Sequence, residues 1–290
     1  MRNWTVHGVN FDVLAILLRD MAEQWIIAIR GQLDSFSYEA KDNPNKVDDQ
    51  VTSADYAAQK AIVDMITKCF PEAWIIAEEN NLKKPCTHAT QQLYFTLDPL
   101  DGTRAYVRMQ SDGIWSMIGV VLDNEIIGAA IADVMTKEIY LLNPSTWWVE
   151  RIHPRRTLAL EYTSRKHFRI AMMDDPRTCI ESISRISDPE NWYFDSTSVT
   201  NGSIGINVAR VRKNEASAFL YRAGTPMPWD WVPVVGISLT MWFIFLSYDK
   251  TTNSWLKNNN ICSIDWQATL TETLMIHESE VDEFLEWYNK

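Results

Sequence analysis

Positive charge is scarce in this sequence: 27 lysines and arginines face 38 aspartates and glutamates, a net charge of −11 over 290 residues. Nonspecific nucleic-acid binding relies on Lys and Arg displacing counterions from phosphates, so nucleic acid is not an expected partner. A small phosphorylated substrate stays compatible, because a bound metal can invert the local field. Cysteine is also sparse. Cys69, Cys86, Cys179 and Cys262 include no CxxC pair, which excludes a structural zinc motif and a disulfide framework. Reduced thiols in a cytoplasmic protein are the expectation. Long apolar runs are missing as well. Phe11 to Arg30 is interrupted by charges at helical spacing, and Val232 to Tyr248 contains Pro233 and Gly236. Both fall short of the roughly 20 apolar residues that span a bilayer, so no membrane is expected. Met1 to Asn10 has no apolar core of a secretory signal. Repeats and low-complexity segments are absent, and 46% hydrophobic residues suffice for a large core.

The periodicity predicts an amphipathic helix over Phe11–Arg30 and a second helix from about Ser53, as N-cap, to Phe70, stopped by Pro71. Lys41 to Lys46 reads as a loop. Trp74–Ala77 and Leu93–Leu97 are short apolar runs of the buried-strand type, each ending at a carboxylate. Ile114–Leu122, Ile126–Val134 and Glu138–Leu142 read as consecutive strands. Further on, Phe168–Met173 and Ala218–Tyr221 read as strands, Pro176–Arg185 and Ser203–Val211 as helices. Val232–Tyr248 reads as a buried helix passing into a buried strand. Arg151, Arg155, Arg156, Arg165 and Lys166 form a basic patch at a soft boundary near 150–165. The expected organisation is an α+β lobe over 1–155 and an α/β lobe over 156–290, in the α/β class with layered sheets.

Carboxylates at strand ends carry the chemical information. Glu78-Glu79 closes one strand and Asp98-Pro99-Leu100-Asp101-Gly102-Thr103 the next; Asp55 lies three residues after Thr52, and Asp230 stands between Trp229 and Trp231. Burying several like charges is penalised by desolvation and by mutual repulsion. Bound divalent cations remove both penalties, and oxygen ligands favour Mg²⁺ or Mn²⁺ over zinc. Asp98 and Asp101 can converge on a metal with the Leu100 carbonyl between them. Gly102 allows close backbone approach, and the amides of Gly102 and Thr103 can face an anion. Turn chemistry alone would select the same residue types.

Together, Val51-Thr52-Ser53-Ala54-Asp55, Ala77-Glu78-Glu79, Leu97 to Thr103, Gly202-Ser203-Ile204-Gly205 and Trp229-Asp230 resemble the inositol monophosphatase family. These are magnesium-dependent, lithium-sensitive phosphatases that include bisphosphate nucleotidases. The resemblance covers roughly residues 40 to 240. It implies alternating helix and sheet layers, an αβαβα sandwich of the inositol monophosphatase and sugar phosphatase type, assembled as a homodimer. It further implies two or three Mg²⁺ ions, with Mn²⁺ as a substitute. Glu78, Asp98 and the Leu100 carbonyl would hold the first ion, and Asp98, Asp101 and Asp230 the second. Thr103, oriented by Asp55, would activate water, with Glu78 also in the catalytic set. Gly102, Thr103, Gly202, Ser203 and Arg222 would meet the substrate.

Several positions depart from the family pattern. Ala77 replaces a glycine, and Gln59 stands where an acid is common. Trp231-Val232-Pro233 follows Asp230, where bulk could narrow the substrate mouth or alter helix packing. Thr240 to Phe243 replaces a glycine-rich turn. The segment Leu220 to Pro228 has no acid, whereas inositol-specific members carry a glutamate there. This suggests a 3'(2'),5'-bisphosphate nucleotidase as the alternative to an inositol or sugar phosphatase, with Arg222 pairing a second phosphate or a surface carboxylate. A noncatalytic, phosphatase-like interaction protein is the alternative of another class. Trp115 is expected in the core or at the pocket wall, and Lys46 on an exposed loop.

Overall fold

The computed structural model describes residues 5–41, 50–164, 169–173, 183–186, 193–199, 203–224, 227–258, 261 and 270–290. Among them, eight strands make one sheet in the spatial order Arg156–Ala159, Val149–His153, Ile139–Leu142, Glu125–Asp133, Trp115–Leu122, Leu93–Asp101, Trp74–Ala77, Leu82–Lys84. Only Trp74–Ala77 and Leu93–Asp101 pair in parallel; their neighbours are antiparallel. A second sheet of six strands runs Ser196–Val199, Ile170–Met173, Ala218–Tyr221, Thr273–His277, Phe243–Asp249, Ser254–Lys257.

Side-chain alternation explains the layering. In Trp115–Leu122, Ile118 and Val120 face a core shared with helices Phe11–Arg30 and Ser53–Cys69, while Trp115 and Met117 face the opposite way. That second face receives helices Ile204–Arg212 and Pro228–Thr240, which the six-stranded sheet covers through Met172, Phe219, Phe243 and Phe245. Ala171, Met173, Leu246 and Tyr248 point outward to helix Glu278–Tyr288. Strands buried on both faces read as continuous apolar runs, and these do. The result is five alternating layers of helix and sheet.

Glycines set the closest approaches between layers. A Cβ on Gly119 would lie 2.4 Å from Val232 Cγ1, and one on Gly236 would lie 2.6 Å from Ile126 Cγ2. Helix Pro228–Thr240 therefore seats directly on the large sheet, which brings Asp230, in its first turn, to the strand ends.

Several expected elements shift. The N-cap of the second helix is Thr52, not Ser53. The strand expected to end at Leu97 continues to Asp101. Pro99 has no N–H to give the ladder, and its carbonyl instead accepts from Ser116 Oγ at 2.8 Å. The helix before Thr240 and the strand from Phe243 are joined through Met241 and Trp242, whose φ is 63°. Most of the expected Pro176–Arg185 helix lies outside the described residues, which include a helix at Ile183–Ile186. Residues 42–46, Cys179 and Cys262 also lie outside them. Cys69 and Cys86 are free thiols. No helix among the described residues is long and apolar enough to cross a membrane.

Candidate active site

Parallel pairing of Trp74–Ala77 with Leu93–Asp101 sets Ala77 against Leu97, so the next residue of each strand, Glu78 and Asp98, emerges at the same edge. The Glu78 amide continues the ladder to the Leu97 carbonyl at 3.1 Å. Register then slips between Asp98 and Asp101: Asp98 opposes Met117, but Asp101 already opposes Trp115. This bulge re-aims the chain, as bulges beside active sites commonly do. The Leu100 amide donates to Asp98 Oδ1 at 3.0 Å.

Asp230 arrives from far along the chain. Its helix starts with Pro228 in the first turn, where a proline costs no hydrogen bond. There its carboxyl is hydrogen-bonded to that of Asp98. Burial, followed by the charges of Glu78, Asp230 and Asp101, pushes the Asp98 acid far above the usual carboxylate range. Carboxyls in hydrogen-bond contact resist ionising together unless a cation offsets their charge.

Asp101 is held from a different direction. Its Oδ2 accepts from Ser203 Oγ at 2.6 Å and from the Gly205 amide at 2.8 Å. Ser203 caps the helix Ile204–Arg212, so the helix N-terminus rests on this carboxylate. A Cβ on Gly205 would lie 3.1 Å from both Asp101 Oδ2 and Trp115, which explains glycine there.

The hydroxyl side is built on a cap. Thr52 is extended, and its side chain accepts from the Asp55 amide at 3.4 Å, while Asp55 Oδ2 accepts from the Thr52 amide at 2.8 Å and from the Thr52 hydroxyl. This capping box fixes Asp55. Its other oxygen lies 3.4 Å from Thr103 Oγ1, which also has the Leu100 carbonyl at 3.1 Å. Burial pushes the Asp55 acid up to about 6, against the hydrogen bonds from Thr52. Thr103 opens a short helix directly after Gly102, whose φ is 89° and whose hypothetical Cβ would lie 1.9 Å from the Gly113 carbonyl oxygen. No side chain other than hydrogen fits there.

Three residues that sequence reasoning did not assign complete the cluster. Lys41 Nζ is 2.9 Å from both Glu78 Oε1 and Glu79 Oε1. Burial alone would lower this lysine, but the two carboxylates outweigh it and hold the ammonium above the ordinary range. Glu79 is itself pushed up to about 7 by burial and by Glu78, with Lys41 opposing. Gln59 replaces an acid with a function of its own: its amide donates to the Glu79 carbonyl and accepts from the Glu79 N–H, each at 2.9 Å. A carboxylate could not do both.

The donors offered are carboxylate and carbonyl oxygens, without histidine or thiolate, which suits a hard divalent cation. Among the described residues no three acidic, histidine or cysteine side chains are grouped, as they lie, so as to hold a metal ion. Asp98 instead meets the Asp230 carboxyl, Lys41 holds Glu78, and Ser203 holds Asp101. The repulsion of buried Asp98 by Asp230, Glu78 and Asp101 is what a cation would relieve. Of the remaining expected residues, Gly202 lies outside the described ones, and Arg222 is exposed just after Ala218–Tyr221. Trp231 is a packing residue: it is buried between Tyr221 and Phe245, with ring centroids at 5.0 and 5.6 Å. Trp115 is likewise buried, against Tyr140.

Known proteins resemble this chain in sequence and in fold. An inositol-1-monophosphatase of Bacillus subtilis is 30% identical over 145 residues, 48% of this chain and 48% of that protein. The human 3'(2'),5'-bisphosphate nucleotidase 1 is 22% identical over 213 residues, 63% of this chain and 66% of that one. The chain thus spans about half the length of the first relative and just under two thirds of the second. A solved IMPase/NADP phosphatase, complexed with Mg²⁺ and phosphate, shares the fold at a TM-score of 0.69 and 16% identity, over 96% of this chain and 95% of that one. A model of the inositol monophosphatase family matches residues 12–263, and the chain belongs to that family.

Proposed function

We propose that this protein is a phosphoric monoester hydrolase that uses Mg²⁺, or Mn²⁺ in its place, to cleave a small phosphate ester of the inositol or sugar phosphate class. The observation that carries the reading is buried Asp98 against half-buried Asp230, with Glu78 and Asp101 beside it and the Thr103–Asp55 contact alongside. Glu78, Asp98 and the Leu100 carbonyl would hold one cation, and Asp98, Asp101 and Asp230 another. When bound, such ions neutralise phosphate oxygens and make water a stronger acid. Asp55, poised near 6 by burial, can take a proton passed through the Thr103 hydroxyl. The amides of Gly102 and Thr103 are offered to phosphate oxygens. Ser203 acts through Asp101, whose carboxylate it orients. The same reading keeps residues 1–155 as the lobe with most ligands, 156–290 as the substrate side, a homodimer as the assembly and the cytoplasm as the compartment.

One observation favours a second substrate class. The segment entering the Asp230 helix carries exposed Arg222 and no acid, which suits a second phosphate better than ring hydroxyls. The test is phosphate release from inositol monophosphates, fructose 1,6-bisphosphate and adenosine 3',5'-bisphosphate, with Mg²⁺, with chelator and with Li⁺. Mg²⁺-dependent release from an inositol or sugar phosphate supports the leading reading. Release confined to the adenosine bisphosphate selects the nucleotidase. Mg²⁺ binding without release from any substrate would leave the noncatalytic interaction protein and overturn both.

A further inference from the structure

A tight turn at Pro154 and Arg155 joins Val149–His153 to Arg156–Ala159 at the edge of the large sheet. The register sets Arg151 opposite Leu158 and His153 opposite Arg156. Side chains alternate along a strand, so these four project from one face. With Glu138 and Arg155 they line a cavity of about 420 Å³, within the range of small-molecule pockets.

The charges in this cavity do not cancel. Glu138 spends both oxygens inward, one on Arg151 and the other on the Tyr140 hydroxyl at 2.8 Å. Burial would raise its acid, but these two bonds outweigh it and hold Glu138 below the usual carboxylate range, so it stays ionised. Arg151 still has a buried Nε without a partner. Arg155 and Arg156 are exposed, and neither has an ion-pair partner among the described residues. Nearby, Arg210 and Lys213 share the single carboxylate of Glu215 at 3.3 and 3.0 Å. Along the cavity wall three guanidiniums, Arg151, Arg155 and Arg156, thus stand against the one carboxylate of Glu138, in a chain whose net charge is −11.

We infer that this cavity is a second anion site, separate from the carboxylate centre, that takes a small molecule bearing two or more phosphate groups. Two adjacent free guanidiniums match that chemistry, because each planar fork pairs bidentately with one phosphate. Leu158 offers an apolar wall to the ligand's carbon skeleton. The cavity is not the far end of the active site: Asp101 and His153 lie on strands four steps apart in the sheet, roughly 19 Å at the usual strand spacing.

The test is calorimetric titration of the full chain with inorganic pyrophosphate at low salt in excess chelator, where the acidic centre repels anions. The wild type should bind. The Arg155→Ala/Arg156→Ala double variant, altered only at exposed positions of the hairpin, should bind at least about tenfold more weakly. Arg155→Lys/Arg156→Lys, which keeps the charge and loses the fork, should bind more weakly than the wild type and more tightly than the double alanine variant, and Asp98→Asn should leave the affinity unchanged. Inorganic monophosphate should bind more weakly than pyrophosphate. Equal affinity in the double alanine variant, loss of binding in Asp98→Asn, no preference over monophosphate, or no binding by the wild type at millimolar pyrophosphate would each overturn the proposal. None of these outcomes depends on whether the carboxylate centre is catalytic.

Discussion

Asp98 concentrates the conflict between folding and function. It is 2% exposed, shares a hydrogen bond with another acid and lies beside two more. Asparagine at this position would keep the shape, remove one buried acid and give Asp230 an amide to accept from. Asp98→Asn should therefore melt a few degrees higher than the wild type in chelator, while Mg²⁺-dependent phosphate release falls at least about a hundredfold. A variant with full activity at saturating Mg²⁺ would show that Asp98 holds no essential ion. Gln59 allows the converse test. Gln59→Ala strands the Glu79 N–H and carbonyl, at a cost of about 1–3 kcal/mol per unpaired group, so thermal unfolding should shift down by several degrees. The acids were legible in the sequence because strand ends crowded with carboxylates have few explanations besides turns and metals. Lys41 and Gln59 were not. A lone lysine after a three-residue strand and a glutamine inside a helix carry no pattern until tertiary structure gives them Glu78 and Glu79 as neighbours.

At the level of elements, the buried helices and strands were readable and the irregular joints were not. Trp115–Leu122 and Glu125–Asp133 lie within one residue of the runs that announce them. The Leu93–Asp101 strand outlasts its apolar run because the bulge at Pro99 continues pairing past a residue that usually ends it. Arg156–Ala159 is exposed throughout, so as an edge strand it shows no alternation of apolar and polar residues to read. The contact that seats Asp230 is also hidden in sequence: helix Pro228–Thr240 approaches the sheet over Gly119, where a methyl group would meet both Val232 and Thr96 Oγ1, the latter at 2.7 Å. Gly119→Ala should cost about 1–3 kcal/mol by overpacking. It should also lower activity more than an equally destabilising change in helix Glu278–Tyr288, because the displaced helix carries Asp230. Equal activity in two such variants matched for stability would detach helix seating from the site.

The whole molecule encloses a cluster of acids within an already acidic chain, and its stability should show this as a function of pH. Glu79 titrates near 7 and Asp55 near 6 in the folded protein, both raised foremost by burial, against ordinary values of 4.5 and 3.8. Between the unfolded and folded values the native state holds more protons than the unfolded chain, so stability declines as pH rises through that window. Exposed acids such as Asp64, Asp249 and Glu286 are shifted the other way by hydrogen bonds. Their opposing effect is complete below pH 5; His7 and His277, which burial holds below the ordinary imidazole value, oppose the acids up to about 6.5, and the range from about 5 to 7 is dominated by the more strongly shifted acids. In chelator, the melting temperature should fall by several degrees across that range. Millimolar Mg²⁺ should reverse most of the fall at pH 7, because a ligand bound only by the native state stabilises it. Glu79→Gln should flatten the slope without added metal, since Lys41 keeps Glu78 as a partner and the titrating group at residue 79 is gone. A melting temperature that rises from pH 5 to 7 in chelator, or a slope that Glu79→Gln leaves unchanged, would mean that the buried acids do not govern the pH dependence of stability.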